Sequence, residues 1–245
     1  MRIISGRFRS RRLHAPRDAD TTRPIPDRVK ESLFNMLRGN LDGAVVLDCF
    51  AGTGSFGLEA LSRGASRVVF VERDRSIANV LERNIADLGV EDECEMIVAD
   101  ALGPAVLHRC PRRVDLIFMD PPYELARDEQ GWARIRTQVA RLLDHLTEDG
   151  FALIRTPHPL LHKIEPPAPV PDEHNLHVQI VVESPDDLDE SVDAKFERLF
   201  GLSSAKPTFL DADLSVEGAL GPETRDYGTM AVHIYSRAKR SDDPV

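Results

Sequence analysis

The sequence predicts a doubly wound α/β fold, a mostly parallel seven-stranded sheet with helices on its faces. Two observations carry that prediction. Short, near-continuous apolar runs alternate with helical segments, as strands buried on both faces require. The first of these runs leads into the glycine loop FAGTGSFG, Phe50 to Gly57, which opens a helical segment.

The elements follow in order. Pro26 and Asp27 precede Val29, Leu33, Met36 and Leu37 at helical spacing, so a helix starts there. Strands are predicted at 44–50, 67–72, 94–100 and 114–120, with helices over about Ser55–Arg63, Arg75–Leu88, Ala101–Arg109 and Trp132–Leu146. Further strands are expected at 150–156, 176–184 and 228–235. Between 158 and 223 there are 14 acidic and four basic residues, and Leu188, Val192, Phe196, Leu199 and Phe200 share one face of a possible helix.

A chain of 245 residues, 42% of them hydrophobic, can bury one sizeable core. Three cysteines without a CxxC pair suggest neither a disulfide framework nor a zinc site, and His158 and His162 lie among prolines that break a helix. No metal is expected. No apolar run reaches a membrane span, and a monomeric cytoplasmic protein is the reading. The net charge of -10 conceals an asymmetry: residues 2–38 carry ten Lys or Arg against four Asp or Glu. A basic nucleic-acid-binding arm on an acidic body is therefore expected, with Arg2, Arg7, Arg9, Arg11, Arg12 and Arg23 as its contacts.

The spacing Gly52-x-Gly54-x-x-Gly57 suits NAD and S-adenosylmethionine equally, and Glu72, at the end of the next strand, is placed to accept ribose hydroxyls in either case. Asp48 separates them. A carboxylate about 4 Å from a pyrophosphate costs on the order of 4 kcal/mol at an effective dielectric near 20. S-adenosylmethionine instead brings an ammonium and a sulfonium. Acids at four successive strand ends, Asp48, Glu72, Asp100 and Asp120, suit that cofactor, with Asp100 and Ala101 placed towards an adenine amine.

The most specific chemical feature is DPPY, Asp120 to Tyr123. An exocyclic base amine is a poor nucleophile because its lone pair is delocalised into the ring. Asp120 can accept one amine hydrogen and the Pro121 carbonyl the other, while Pro121 and Pro122 stiffen the loop and Tyr123 stacks on the base. Such a base is flipped out or already unpaired. DNA adenine or cytosine amine methylation shares this motif, a non-catalytic RNA-binding assembly protein would not need it, and an NAD oxidoreductase lacks a recognisable His, Lys or Tyr constellation.

These residues resemble the RsmD-like methyltransferases, through RIISGRFRSRRL, DRVKESLFNML, VLDCFAGTGSFGLEALSRGA, VFVERD, FMDPPY and RDYGTMAVHIY. The resemblance implies a class I, Rossmann-like, S-adenosylmethionine-dependent enzyme that methylates the N2 amine of a guanine in 16S-type ribosomal RNA, free or in an assembling small subunit. It implies that Asp48 and the turn of Ala51, Gly52, Thr53 and Gly54 surround the methionine portion, that Glu72 meets the ribose and Asp100 the adenine, and that Phe50, Arg73 and Ala101 also border the cofactor. Asp120 to Tyr123 would hold the base, and Arg23 with Pro24 would lie near the mouth. The expected organisation is an arm at 1–24 and a catalytic domain at 25–245. Two departures stand out: Ile25-Pro26 replaces the family's usual hydroxyl residues, and the acidic stretch at about 184–222 is extra.

Overall fold

The computed structural model describes residues 1–16, 25–164 and 208–238. Two compact units divide the chain, one of Met1–Leu160 with Ala212–Val245, the other Leu161–Asp211. In the second, β6 (Leu161–Ile164) pairs antiparallel with β7 (Thr208–Asp211).

The first unit runs α1 (Asp27–Met36), β1 (Val45–Cys49), α2 (Ser55–Ser62), β2 (Arg67–Glu72), α3 (Arg75–Leu88), β3 (Cys94–Val98), α4 (Pro104–Arg109), β4 (Val114–Met119), α5 (Tyr123–Arg127), α6 (Glu129–Leu142), β5 (Leu146–Pro157), β8 (Ala219–Asp226) and β9 (Met230–Arg237). Its seven-stranded sheet has the order β3-β2-β1-β4-β5-β9-β8. Ladders from β3 to β5 are parallel, and β9 and β8 close the sheet antiparallel.

Alternation along the strands explains their unbroken apolar runs. Val46, Val68, Phe70, Leu116 and Phe118 face one core with α1, α2 and α3, whereas Leu47, Val69, Val71, Ile117 and Met119 face the other with α4 and α6. Both faces are covered, so neither needs polar residues. The chain leaves β1 in one direction, to β2, and returns through β4 on the other side of β1. That reversal leaves a crevice at the carboxyl ends of β1 and β4, where open α/β sheets take their ligands.

Several boundaries differ from the sequence reading. Helix α6 starts and ends earlier than predicted, and β5 begins at Leu146, so the run expected as one helix to Leu146 contains a 3-10 turn and a strand start. β3 ends at Val98, which places Asp100 two residues beyond the strand. The strand expected at 176–184 and the helical face at 188–200 lie outside the described residues. The seventh strand of the sheet is β8, ALGPETRD, a mostly exposed edge strand whose solvated side chains carry no apolar signal.

Residues 1–16 do not form a free arm. They fold back in a short hairpin, with Ile3 N–H donating to the Arg11 carbonyl at 3.0 Å and Ser10 N–H to the Ile3 carbonyl at 2.9 Å. Ile3 and Leu13 are buried in the core shared with α1 to α3. The apolar residues interleaved among the arginines are the reason: burying them holds the basic residues on the surface of the domain.

Candidate active site

Backbone hydrogen bonds gather three strand ends. Ala51 N–H donates to the Val71 carbonyl at 2.9 Å, and Asp120 N–H to the Cys49 carbonyl at 3.3 Å. The glycine loop, the end of β2 and the DPPY loop thus share one crevice.

Asp48, on β1, is 1% exposed. Its Oδ2 accepts the Gly57 N–H at 2.9 Å, and its buried Oδ1 has no hydrogen-bond partner among the described residues. Burial pushes this carboxyl well above the usual carboxylate range; the Gly57 hydrogen bond opposes the shift, and the charges of Asp120 and Glu72 add to it. A buried acceptor without a donor is costly, and a ligand bearing donors or positive charge would satisfy it.

The loop after β1 has a left-handed backbone at Phe50 (φ 60°), Gly52 (φ 56°) and Gly54 (φ 88°). For Phe50 that conformation costs about 1–2 kcal/mol, a strain held by the surrounding structure. A Cβ on Gly52 would meet nothing within 4 Å, so the backbone there borders open space. Gly57 instead lies where a Cβ would come within 2.3 Å of the Phe70 ring, which makes it a packing glycine. Thr53 is buried, and its carbonyl accepts from the Asn84 amide at 3.0 Å.

Glu72 closes the loop from the neighbouring strand. Its Oε2 accepts the Gly52 N–H at 2.9 Å and its Oε1 the Asp74 N–H at 2.8 Å. Each oxygen keeps a second lone pair for a hydroxyl donor. Arg73 is exposed beside it, and Asp74 caps α3. Asp100 is exposed and further out: Oδ1 accepts the Leu102 N–H at 3.0 Å and Oδ2 meets Arg134 of α6 at 3.4 Å. Ala101 is buried, with its carbonyl accepting from Gln138 at 3.0 Å.

Asp120 follows β4, and Arg155 stands beside it on β5. The guanidinium donates twice, Nε to Oδ1 at 2.5 Å and Nη2 to Oδ2 at 3.0 Å. Burial leaves the Asp120 carboxyl above its ordinary pKa, although the Arg155 charge and hydrogen bonds oppose the shift. Tyr123 begins α5 after Pro122, and its ring lies 5.4 Å from the Arg155 guanidinium carbon and 5.9 Å from that of Arg127. Pro121 is buried and Pro122 exposed. Below the pair is a cavity of about 10 Å³, room for about one water, walled by Leu33, Phe56, Phe118 and Leu153.

The amino-terminal hairpin is fastened to the helix that the glycine loop opens. Glu59 of α2, fully buried, accepts the Ile4 and Ser5 N–H groups at 2.7 and 3.1 Å and pairs with Arg63 at 2.7 Å and Lys30 at 3.3 Å. Lys30 donates to the Arg2 carbonyl at 2.8 Å. A Cβ on Gly6 (φ 84°) would fall 1.7 Å from the Ser62 carbonyl oxygen, so only glycine fits. Of the arginines expected to bind RNA, Arg2 pairs with Asp27, Arg7 with Glu93, and Arg11 donates to the Asp87 carbonyl. The side chains of Arg9 and Arg12 are exposed and have no partner among the described residues. Arg23 and Pro24 lie outside those residues.

Sequence reasoning did not single out Arg155, Asn84, Lys30 or Glu59. Arg155 did leave a signal, a cation breaking an apolar strand in GFALIRT. Lys30, Glu59 and Arg63 were present only as letters in two motifs whose contact with each other is tertiary.

Among known proteins, the family model described as "Conserved hypothetical protein 95" matches residues 1–164. The chain is 40% identical over 131 residues to "Ribosomal RNA small subunit methyltransferase D" of Haemophilus influenzae, covering 53% of this chain and 67% of that protein. It is 39% identical over 123 residues to the protein of the same name from Escherichia coli K12, covering 50% and 60%. The solved structure of the Escherichia coli protein yhhF has the same fold, with a TM-score of 0.63 at 24% identity over 97% of both chains.

Proposed function

The chain belongs to the family described as conserved hypothetical protein 95, the RsmD-like group its motifs resemble, and on that premise we propose that it is an S-adenosylmethionine-dependent methyltransferase acting on the N2 amine of a guanine in small-subunit ribosomal RNA. The observation that carries this reading is the placement of Asp120, the carboxylate that would bind the amine, at the crevice shared with the unsatisfied oxygen of Asp48. The two relatives carry names that state ribosomal RNA methylation.

The residues present fit the cofactor. Asp48 Oδ1 is a buried acceptor in want of a donor, Gly52 borders open space, and Glu72 keeps lone pairs for ribose hydroxyls. Asp48 and the loop would hold the methionine portion, Glu72 and Arg73 the ribose, and Asp100 with Ala101 the adenine. S-adenosylmethionine supplies a methyl group activated by its sulfonium.

The protein's own part is orientation. Asp120 accepts one hydrogen of the base amine and the Pro121 carbonyl accepts the other, which turns the nitrogen lone pair towards the methyl donor. Tyr123 supports the face of the base, a stack worth roughly 1–3 kcal/mol. Holding the amine in a near-attack geometry accounts for most of the rate, and no strong general base is required. Among the described residues, Arg9 and Arg12 are exposed arm residues without a side-chain partner, and they would meet RNA phosphates. We take the enzyme to be a cytoplasmic monomer whose substrate is 16S-type RNA or an assembling small subunit.

The test is Asp120→Ala. Transfer to small subunits should be abolished while calorimetric binding of S-adenosylmethionine is retained. Retained turnover would remove Asp120 from its role.

A further inference from the structure

Arg155 sits within β5, its backbone paired with Val232 of β9, while Asp120 follows the last residue of β4. Met119 pairs with Ile154, so the next residues of the two strands, Asp120 and Arg155, point to the same face. Both side chains are largely buried, 18% exposed for Asp120 and 12% for Arg155. The guanidinium lies in a fork on the two carboxylate oxygens, at 2.5 and 3.0 Å. It also stands over the Tyr123 ring, 5.4 Å from its centre.

The carboxylate and the ring are the two surfaces that would hold the base, and one side chain covers both. A fork fills the parallel acceptor site of each oxygen and leaves only sites that diverge. The N1–H and N2 amine of guanine, joined through C2, form a guanidine unit of their own and need those same parallel sites. The cavity beside the pair, about 10 Å³, has room for about one water and not for a base. Seating the target therefore requires a group to leave. Moving Arg155 clears the carboxylate and the ring together, and rotation about its side-chain torsions is enough, since the ladder to Val232 keeps its backbone in place.

We propose that Arg155 is a stand-in for the target base: its guanidinium occupies the base site on Asp120 and Tyr123 until guanine enters by displacing it. The inference rests on the guanine reading above and adds that base entry is an exchange. Until that exchange the fork keeps a buried carboxylate paired. The displaced guanidinium, a planar cation with paired donors, suits a backbone phosphate of the incoming nucleotide, so it passes from one anion to another.

The experiment uses full-length wild type, Arg155→Ala and Arg155→Gln, with small subunits from cells lacking this protein and saturating S-adenosylmethionine. Initial rates are measured with about 20 mM guanidinium chloride, far below denaturing strength, and with sodium chloride at the same concentration. Free guanidinium can refill the site that Arg155→Ala opens. It should then compete with subunits, raising their KM about two- to fivefold at unchanged kcat. Wild type, which carries its own guanidinium there, should respond as it does to sodium chloride.

If the fork instead supports Asp120 during transfer, free guanidinium should restore kcat in Arg155→Ala. Such restoration, or a response no different from that to sodium chloride, overturns the proposal. If Arg155→Ala is unfolded by circular dichroism, Arg155→Gln, which cannot form the fork, takes the same titration: competition supports the proposal, and restoration or no specific response overturns it. Wild type that methylates no guanine overturns the underlying reading instead.

Discussion

Lys30 of α1 and Glu59 of α2 form an ion pair at 3.3 Å with both side chains essentially excluded from solvent, at 1% and 0% exposure. The pair lies where the amino-terminal hairpin meets the helix of the glycine loop. Burial drives the Lys30 ammonium below its ordinary pKa, and Glu59 pulls it back. Lys30→Met leaves Glu59 with Arg63 and the Ile4 and Ser5 N–H groups, so the loss is that of one charge-assisted hydrogen bond, about 1.5–3 kcal/mol. The variant should lower stability to denaturant by that order and expose the 1–13 segment to proteolysis. Glu59→Gln, which removes the partner of both Lys30 and Arg63, should cost more. Urea titrations and limited digestion check this.

The orphaned Oδ1 of Asp48 leads to a cofactor prediction. Asp48→Asn can still accept the Gly57 N–H, so the loop should remain in place while an amide donor replaces the oxygen that would accept from the ligand's ammonium. Loss of a charged hydrogen bond of about 1.5–3 kcal/mol weakens binding roughly ten- to hundredfold. Calorimetry with S-adenosylmethionine should show this drop at nearly unchanged melting temperature.

His233 of β9 is 3% exposed and sits between the hydroxyls of Thr156 and Thr224, at 3.0 and 2.9 Å. Burial, with a smaller effect from the charge of His158, pushes its pKa down to about 4 from an ordinary 6.5. Between those values the unfolded chain binds the proton and the folded one does not. Stability from this site is thus complete above about pH 6.5 and is lost as pH falls towards 4, by about 3 kcal/mol. The difference in urea stability between wild type and His233→Gln should shrink by that order across the window.

Arg9 and Arg12 should contribute more to RNA affinity than Arg2 or Arg7, which are already paired with Asp27 and Glu93. Each phosphate contact on a single strand adds about 0.7 to the slope of log affinity against log salt. The double Ala variant of Arg9 and Arg12 should reduce that slope by about 1.4, whereas Arg2→Ala should change it less. Filter binding to small-subunit RNA across a salt series checks the order.

The central strands were legible in the sequence because both faces of β1, β2 and β4 are covered, which leaves unbroken apolar runs. β8 was not, since ALGPETRD is a mostly solvated edge ordered by its ladder to β9. The site was legible where its chemistry is local: the glycine loop, Glu72 and DPPY each lie within a few consecutive residues. Arg155 lies 35 residues from Asp120 and meets it only through the register of β4 and β5. The basic amino terminus shows the same limit. Its charge was visible, whereas its docking depends on Glu59 and Ser62, more than fifty residues away.

The most direct test of guanine N2 methylation is to map methylated nucleotides in small-subunit ribosomal RNA from cells with this protein, without it, and with Asp120→Ala. The account predicts one N2-methylguanine that is present only with the wild-type protein. An unchanged set of methylated guanines in its absence, or full modification by Asp120→Ala, would contradict it.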